Sequence, residues 1–368
     1  MLQMIKQPIS TRPYRRTSMA LAVFGACLAL PASAETLTTK PARSLLAAAT
    51  GWTYQLQQLD PVTAARDAND VLVTDYSTDG SADAVLAADQ LAALKQKPDG
   101  KRRLVLSYMS IGEAESYRFY WNDAWTKPNA PAPVTTVTSE AVPPGAPAMG
   151  VTALNDATGF SDAPLTRAPA ELPANSLEAV TPPAWLHHEN AEWRDNYYVR
   201  FWDPAWQNLM FGSAEAYLDR IMAAGFDGVY LDRADVYSFW ESSRDTSEAD
   251  MVGFVAKLSA YARAKNSEFL IVMQNAEELA KHRTIRRALD GIAKESLLFG
   301  VAEAGTANTA GDIAASLEHL QRAKDAGLPV FVVEYLAELA QEGLALDQLA
   351  DMGFVATIAS KALDTLSK

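Results

Sequence analysis

Residues 225–235 read Gly225-Phe226-Asp227-Gly228-Val229-Tyr230-Leu231-Asp232-Arg233-Ala234-Asp235, and the predicted fold follows from them. The short apolar run between glycines is typical of a buried strand, and an aspartate follows where the strand ends. In a (β/α)8 barrel the carboxyl ends of the strands form the catalytic face, so Asp232 is a catalytic candidate and Asp235 a second carboxylate. The competing interpretation is that both acids cap the following helix.

The rest of the chain alternates in the same way between β-rich runs and Ala- and Leu-rich segments of helical period. This alternation indicates a parallel sheet covered by helices, and we expect a TIM barrel. An open doubly wound sheet is the second choice, but the sequence has no Gly-x-Gly-x-x-Gly turn to support it. Nine runs compete for eight barrel positions: 52–56, 71–76, 104–110, 197–202, 229–232, 269–275, 291–295, 330–335 and 354–358.

Residues 1–34 have the features of an export signal. A basic region with Lys6, Arg12, Arg15 and Arg16 precedes an apolar stretch over 20–30, and Ala32-Ser33-Ala34 is typical of a cleavage site. We therefore expect a secreted or periplasmic mature chain, 35–368, with one barrel domain and no attachment to a membrane.

Cleavage at that site would change both the charge and the chemistry of the chain. The signal carries four basic residues and no acids, so its removal lowers the formal net charge from −13 to −17. So acidic a surface disfavours nucleic acid and favours a neutral or cationic partner. The sole cysteine, Cys27, lies in the signal, which excludes disulfides and thiolate catalysis from the mature chain.

One segment, 127–183, interrupts the alternation. It holds 11 of the 19 prolines and shows no helical or strand period. We expect an irregular insertion in the barrel, which is either a disordered surface segment or a lid over the site.

Polar residues end most of the β-rich runs and should converge on one face if the strands are parallel neighbours. The sequence has no His-Glu-x-x-His pair, Gly-x-Ser-x-Gly elbow or phosphate-binding loop, and we expect no metal or other cofactor. Carboxylates with phenols and amides are what glycoside hydrolysis needs. The candidates are Asp75, Tyr76, Tyr108, Glu113, Asp203, Asp232, Asp235, Gln274, Asn275, Glu295, Glu334 and Tyr335.

Several of these positions lie in motifs that resemble those of glycoside hydrolase family 114. The segment 106–115, Leu-Ser-Tyr-Met-Ser-Ile-Gly-Glu-Ala-Glu, resembles the family's Tyr-x-Ser-Ile-Gly-Glu-Ala-Glu signature. The stretch 225–235 and the pairs Gln274-Asn275, Glu295-Ser296 and Glu334-Tyr335 also match, in order. The resemblance runs from about Trp52 to Ile358 and leaves only the Pro-rich insertion unmatched.

The resemblance implies a (β/α)8 barrel that acts as an endo-α-1,4-polygalactosaminidase on a galactosamine-containing exopolysaccharide. By motif its catalytic pair falls on Asp232 and Glu295, with Asp235 as the alternative to Asp232. We expect the remaining candidates, Asp203 excepted, to bind a polysaccharide substrate, a cationic amino-sugar polymer. A second hypothesis is a catalytically silent barrel that binds polysaccharide during export or biofilm formation.

Overall fold

An eight-stranded parallel sheet forms the centre of the protein, in a computed structural model that describes residues 40–81, 84–125 and 181–367. Its strands follow the order of the chain, and the first lies beside the last, so the sheet is a nearly closed TIM barrel. The barrel strands are β1 Trp52–Tyr54, β2 Val71–Thr74, β3 Leu104–Ser110, β7 Gly228–Asp232, β8 Leu270–Gln274, β9 Gly291–Glu295, β10 Val330–Glu334 and β11 Val355–Ile358.

Helices cover the outside of this barrel, as the alternating sequence predicts. The α-helices are α1 Ala42–Ala47, α2 Pro61–Ala64, α3 Ala88–Leu94, α4 Pro204–Met210, α5 Tyr217–Ala224, α6 Tyr237–Trp240, α7 Ser247–Lys265, α8 Arg283–Ala288, α9 Ala310–Asp325 and α10 Leu339–Asp351. Short 3-10 turns at Ala234–Val236 and Glu277–Lys281 follow β7 and β8. No helix in the described ranges is long and apolar enough to cross a membrane.

Large side chains fill the barrel interior and leave no channel. Trp52, Tyr54, Tyr230 and Phe331 pack against one another there with ring centroids 5.2–6.0 Å apart. Every second residue of the strands belongs to this inner cluster, while the intervening ones pack against the helices. The barrel is therefore a packed core whose carboxyl-end rim carries the polar residues.

The ninth β-rich run belongs to a different sheet. Residues 197–202 were expected to compete for a barrel position, but β3 pairs directly with β7. Their strand, β6 Asn196–Val199, instead lies between β4 Glu113–Glu115 and β5 Leu186–Glu189 in a small antiparallel sheet. Its burial alternates, as in a strand with only one face packed on the core.

Gly228 explains how tightly β7 and β8 pack. A Cβ at this position would lie 2.4 Å from the carbonyl oxygen of Leu270 on the neighbouring strand. The glycine that opens β7 is thus required for the close approach of two backbones.

Some predictions fall outside the described residues. These are the export signal, 1–34, and nearly all of the Pro-rich insertion, of which only 181–183 are described. On the flanks of the insertion, Trp121, Trp125, Trp185 and Trp206 form a continuous aromatic cluster with centroids 4.9–5.4 Å apart. These four tryptophans pack on the core and anchor the chain at both ends of that segment.

Candidate active site

The direction of each side chain in its strand decides which polar residues meet at the carboxyl-end rim. In β7 and β9, Tyr230 and Ala293 belong to the inner cluster, so the residues two positions later also point inward. The same reasoning places Tyr108, Gln274 and Tyr335 on the inner face. The rim therefore brings together Tyr108, Asp232, Gln274, Glu295 and Tyr335.

Asp232 is held in place by two hydrogen bonds. The phenol of Tyr108 donates to its Oδ2 at 2.8 Å, and the backbone N–H of Arg233 donates to its Oδ1 at 2.7 Å. Arg233 has a φ of 61°, in the left-handed region that few non-glycine residues adopt. The backbone thus turns sharply immediately after the strand, which leaves the Asp232 carboxyl at the mouth of the barrel.

Glu295 is held by an amide and a phenol from the two neighbouring strands. Asn275 donates from Nδ2 to Oε2 of Glu295 at 3.0 Å and accepts the Glu295 backbone N–H at 3.2 Å. The phenol of Tyr335 donates a very short hydrogen bond to the other carboxylate oxygen. Burial, together with the charge of Glu295, holds the pKa of Tyr335 well above its ordinary value, so this phenol keeps its proton.

The charge of Glu295 affects the protonation of Asp232. Burial raises the pKa of Asp232 to about 7, and the negative charge of Glu295 acts in the same direction. Asp232 therefore keeps its proton up to near-neutral pH. One strand, β8, separates β7 from β9, so the backbones of Asp232 and Glu295 lie about 10 Å apart. Because both side chains point inward, the distance between the two carboxyl groups is shorter.

Arg233 lies beside this pair and is fixed by two further acids. Its guanidinium contacts Glu113 Oε1 at 2.9 Å and Asp235 Oδ2 at 3.4 Å. Asn190 also donates to Glu113 at 2.9 Å, and Glu113 is almost fully buried. Glu113 therefore holds Arg233, whereas Asp235, with 38% of its side chain exposed, remains open to a ligand.

A second arginine supports the opposite side of Asp232. Arg118 is buried between Asp75 and Glu115, at 2.7 and 2.6 Å, and its guanidinium lies 5.9 Å from the ring centre of Tyr108. Asp75 thereby positions the phenol that binds Asp232. Sequence reasoning assigned no role to Arg118 or Arg233, although Arg233 lies in the stretch 225–235 and Arg118 follows the segment 106–115 closely.

Three sequence candidates do not reach this site. Tyr76 and Glu334 each lie next to an inward-facing position and so point into the helix layer. The ring of Tyr76 packs on that of Tyr217, with centroids 5.5 Å apart. Glu334 accepts a hydrogen bond from the backbone N–H of Leu298 at 2.7 Å. Asp203 caps α4 by accepting the N–H of Ala205 at 2.8 Å.

Several polar atoms around the carboxyl pair have no partner among the described residues. They are Tyr230 OH, Arg233 Nε, Asp235 Oδ1 and Gln274 Oε1. Buried polar groups are rarely left unpaired in proteins, and a bound ligand or water can complete their hydrogen bonding. This rim can therefore bind a ligand rich in hydroxyl groups and offer it two opposed carboxyls.

Comparison with known proteins identifies relatives of this chain. The model of glycoside-hydrolase family GH114 matches residues 171–368. An uncharacterized protein of Methanocaldococcus jannaschii is 30% identical over 307 residues, which cover 82% of this chain and 70% of that protein. An uncharacterized protein of Deinococcus radiodurans is 31% identical over 265 residues, which cover 72% of this chain and 66% of that protein.

Among solved structures, the fold is similar to the glycoside hydrolase domain of PelA from Pseudomonas aeruginosa. The TM-score is 0.54 at 14% identity, covering 87% of this chain and 98% of that domain. This likeness establishes a shared barrel fold. Together with the family match over more than half of the chain, it leads to one conclusion: the chain belongs to glycoside hydrolase family 114.

Proposed function

We propose that this protein is a secreted, endo-acting glycoside hydrolase that cleaves α-1,4-linked galactosamine-containing exopolysaccharide with Asp232 and Glu295. The observation that carries the proposal is the pair itself: two inward carboxyls on β7 and β9, with burial and the charge of Glu295 raising the pKa of Asp232 to about 7. Glycoside hydrolysis needs one carboxylic acid and one carboxylate at the same pH. With its raised pKa, Asp232 can supply the acid close to neutral pH, and Glu295 is the proposed carboxylate.

In the proposed reaction, one carboxyl protonates the leaving glycosidic oxygen while the other attacks the sugar or activates water. Tyr108 and the Arg233 N–H hold Asp232, and Asn275 and Tyr335 hold Glu295, so neither side chain has to reorient. The unpaired Gln274 and Asp235 oxygens would accept hydrogen bonds from the hydroxyl or ammonium groups of the substrate. Such fixed donors and acceptors lower the cost of reaching the transition state.

The choice of an amino sugar rests on charge and on the motif resemblance. Asp232, Asp235 and Glu295 are close together, and Arg233 is the cation that offsets them most directly. A substrate that carries ammonium groups would be attracted to this rim, whereas an acidic polymer would be repelled.

The test is digestion of partly deacetylated α-1,4-galactosamine polymer, with the products sized by mass spectrometry. We expect a ladder of oligosaccharides, as an endo-acting enzyme produces. Asp232→Asn and Glu295→Gln should each reduce turnover by about 10² to 10⁴ because each removes a charge or a transferable proton. If the enzyme is retaining, azide should give a glycosyl azide of inverted configuration with the variant that lacks the nucleophile, which would also assign the two roles.

The competing hypothesis is a barrel that binds polysaccharide without cleaving it. It predicts that wild-type protein retains the polymer on an affinity column but releases no fragments. That outcome would refute the proposed hydrolysis. Cleavage of another α-linked polymer, but not of this one, would refute only the proposed substrate. The expected export is tested separately, by intact mass: the secreted chain should begin at Glu35.

A further inference from the structure

A second concave site lies beyond the catalytic rim, in the elements that follow β7 and in the small sheet. It is a cavity of about 500 Å³. Ligand-binding pockets commonly enclose about 300 to 1,000 Å³. Aromatic and cationic side chains line it: His187, Arg200, Trp202, Phe239, Trp240 and Arg244.

This cavity is connected to the catalytic rim by a stack of two rings. Phe239 lies flat on Tyr198, with centroids 3.9 Å apart and an interplanar angle of 6°. Tyr198 is paired in the small sheet with Glu113, the acid that holds Arg233. Phe239 itself follows Asp232 by seven residues of mainly helical chain, or roughly 10 Å. One ligand chain can therefore span both places.

The electrostatics of the cavity are opposite to those of the rim. Arg200 lies 5.6 Å from the ring centre of Trp240 and donates to the carbonyl oxygens of Ala184 and Leu186. In the described part of the chain, no carboxylate is within ion-pair distance of Arg200. Arg244 packs 4.4 Å from the ring centre of Trp202, but its charge is paired with Asp250 at 2.6 Å. Among the described residues, the positive charge of Arg200 in this cavity is thus offset by no carboxylate.

From this arrangement we propose that the cavity is a distal sugar subsite that binds a neutral N-acylated hexosamine unit and rejects the protonated amine. The inference rests on the proposed function, because the bound unit belongs to the polymer held at the rim. The exposed part of the Phe239 ring provides the stacking surface for the sugar ring, and guanidinium N–H groups donate to the acyl carbonyl. The same positive charge disfavours an ammonium group. A partly deacetylated chain would then place an amine at the acidic rim and an acetylated unit here.

Binding of single sugars to the intact full-length protein tests the subsite without any need for turnover. Saturation-transfer NMR with N-acetylgalactosamine, galactosamine and galacturonic acid should show the strongest transfer to the first, and at least threefold less to the second. Phe239 is 38% exposed, so Phe239→Ala should fold and should weaken binding of N-acetylgalactosamine by about three- to tenfold. Trp193→Ala is the matched control, since Trp193 is 50% exposed and lies outside the cavity.

The charge argument has its own variant. Arg200→Gln should abolish the discrimination, so that galactosamine binds as well as the N-acetyl sugar. On polymer, Phe239→Ala should raise KM several-fold with kcat unchanged. Stronger binding of galactosamine than of N-acetylgalactosamine by the wild type would overturn the proposal, as would equal effects of Phe239→Ala and Trp193→Ala. If the wild type binds the single sugars but cleaves no polymer, the hydrolase function is refuted and the proposed subsite is not.

Discussion

At the scale of single residues, the proposed chemistry depends on the protonation of Asp232. Burial and the charge of Glu295 raise the pKa of Asp232 to about 7, so Asp232 loses its proton as the pH rises through that value. We therefore expect kcat/KM to decrease above about pH 7, and a pH–rate profile on a short neutral substrate measures this. An alkaline limb that begins above pH 9 would contradict the assignment of the proton to Asp232.

Asp232 should also reduce the stability of the folded protein at alkaline pH. Its folded pKa of about 7 exceeds the ordinary value of 3.8, so its stabilising contribution is present below about pH 4 and is lost as the pH rises through 7. Asp232→Asn removes this titration. The gain in unfolding free energy of the variant over the wild type should therefore be about 2–4 kcal/mol larger at pH 8 than at pH 4. Thermal melts at both pH values measure it, with the exposed Asp123→Asn as control.

Tyr335 is expected to matter for turnover because its phenol donates to Glu295. Hydrogen bonds to charged groups contribute about 1.5–3 kcal/mol, so Tyr335→Phe should lower kcat by about 10- to 100-fold. Tyr76→Phe is the control: Tyr76 is the same residue type, is buried, points into the helix layer, and its hydroxyl has no partner in the described residues. Equal losses in the two variants would show that Tyr335 acts through packing alone.

At the scale of elements, the turn after β7 depends on a glycine in a different segment. A Cβ on Gly112 would lie 2.1 Å from the carbonyl oxygen of Arg233, so Gly112→Ala must displace the backbone beside Asp232. We expect it to lower kcat at least tenfold and to destabilise the fold, as overpacking does. Gly253→Ala, inside α7 with open space around it, should instead stabilise the protein by up to about 1 kcal/mol. Activity assays and melts on both variants test this contrast.

The sequence predicted the eight barrel strands because each is a short apolar run, and the structure confirms all of them. It could not assign 197–202, since β-rich composition does not reveal which strands will be partners. The same limit explains why Tyr76 and Glu334 were expected at the site although they point into the helix layer. Strands buried on both faces show no polar alternation, so the direction of their last residue cannot be read from the pattern. Nor does the sequence reveal the left-handed φ of Arg233, which tertiary contacts impose.

At the scale of the whole molecule, charge is distributed unevenly over two regions that one polymer could bridge. The chain has a formal net charge of −13, or −17 if the first 34 residues are removed, and the carboxyls concentrate at the barrel rim. The neighbouring cavity is cationic through Arg200. Solubility alone would require only dispersed acids, so this separation favours selection among sugar units.

The response to salt distinguishes substrate selection from solubility. Attraction between exposed charges weakens as the Debye length decreases from about 30 Å at 0.01 M to about 10 Å at 0.1 M ionic strength. If the acidic rim attracts a cationic polymer, kcat/KM on partly deacetylated polymer should fall several-fold over that range while kcat changes little, because steering acts on association. Fully acetylated polymer is the control, since it carries no ammonium groups and its kcat/KM should hardly respond. A flat profile on both polymers would mean that the rim carboxylates act in chemistry and that the net charge plays no part in choosing the substrate.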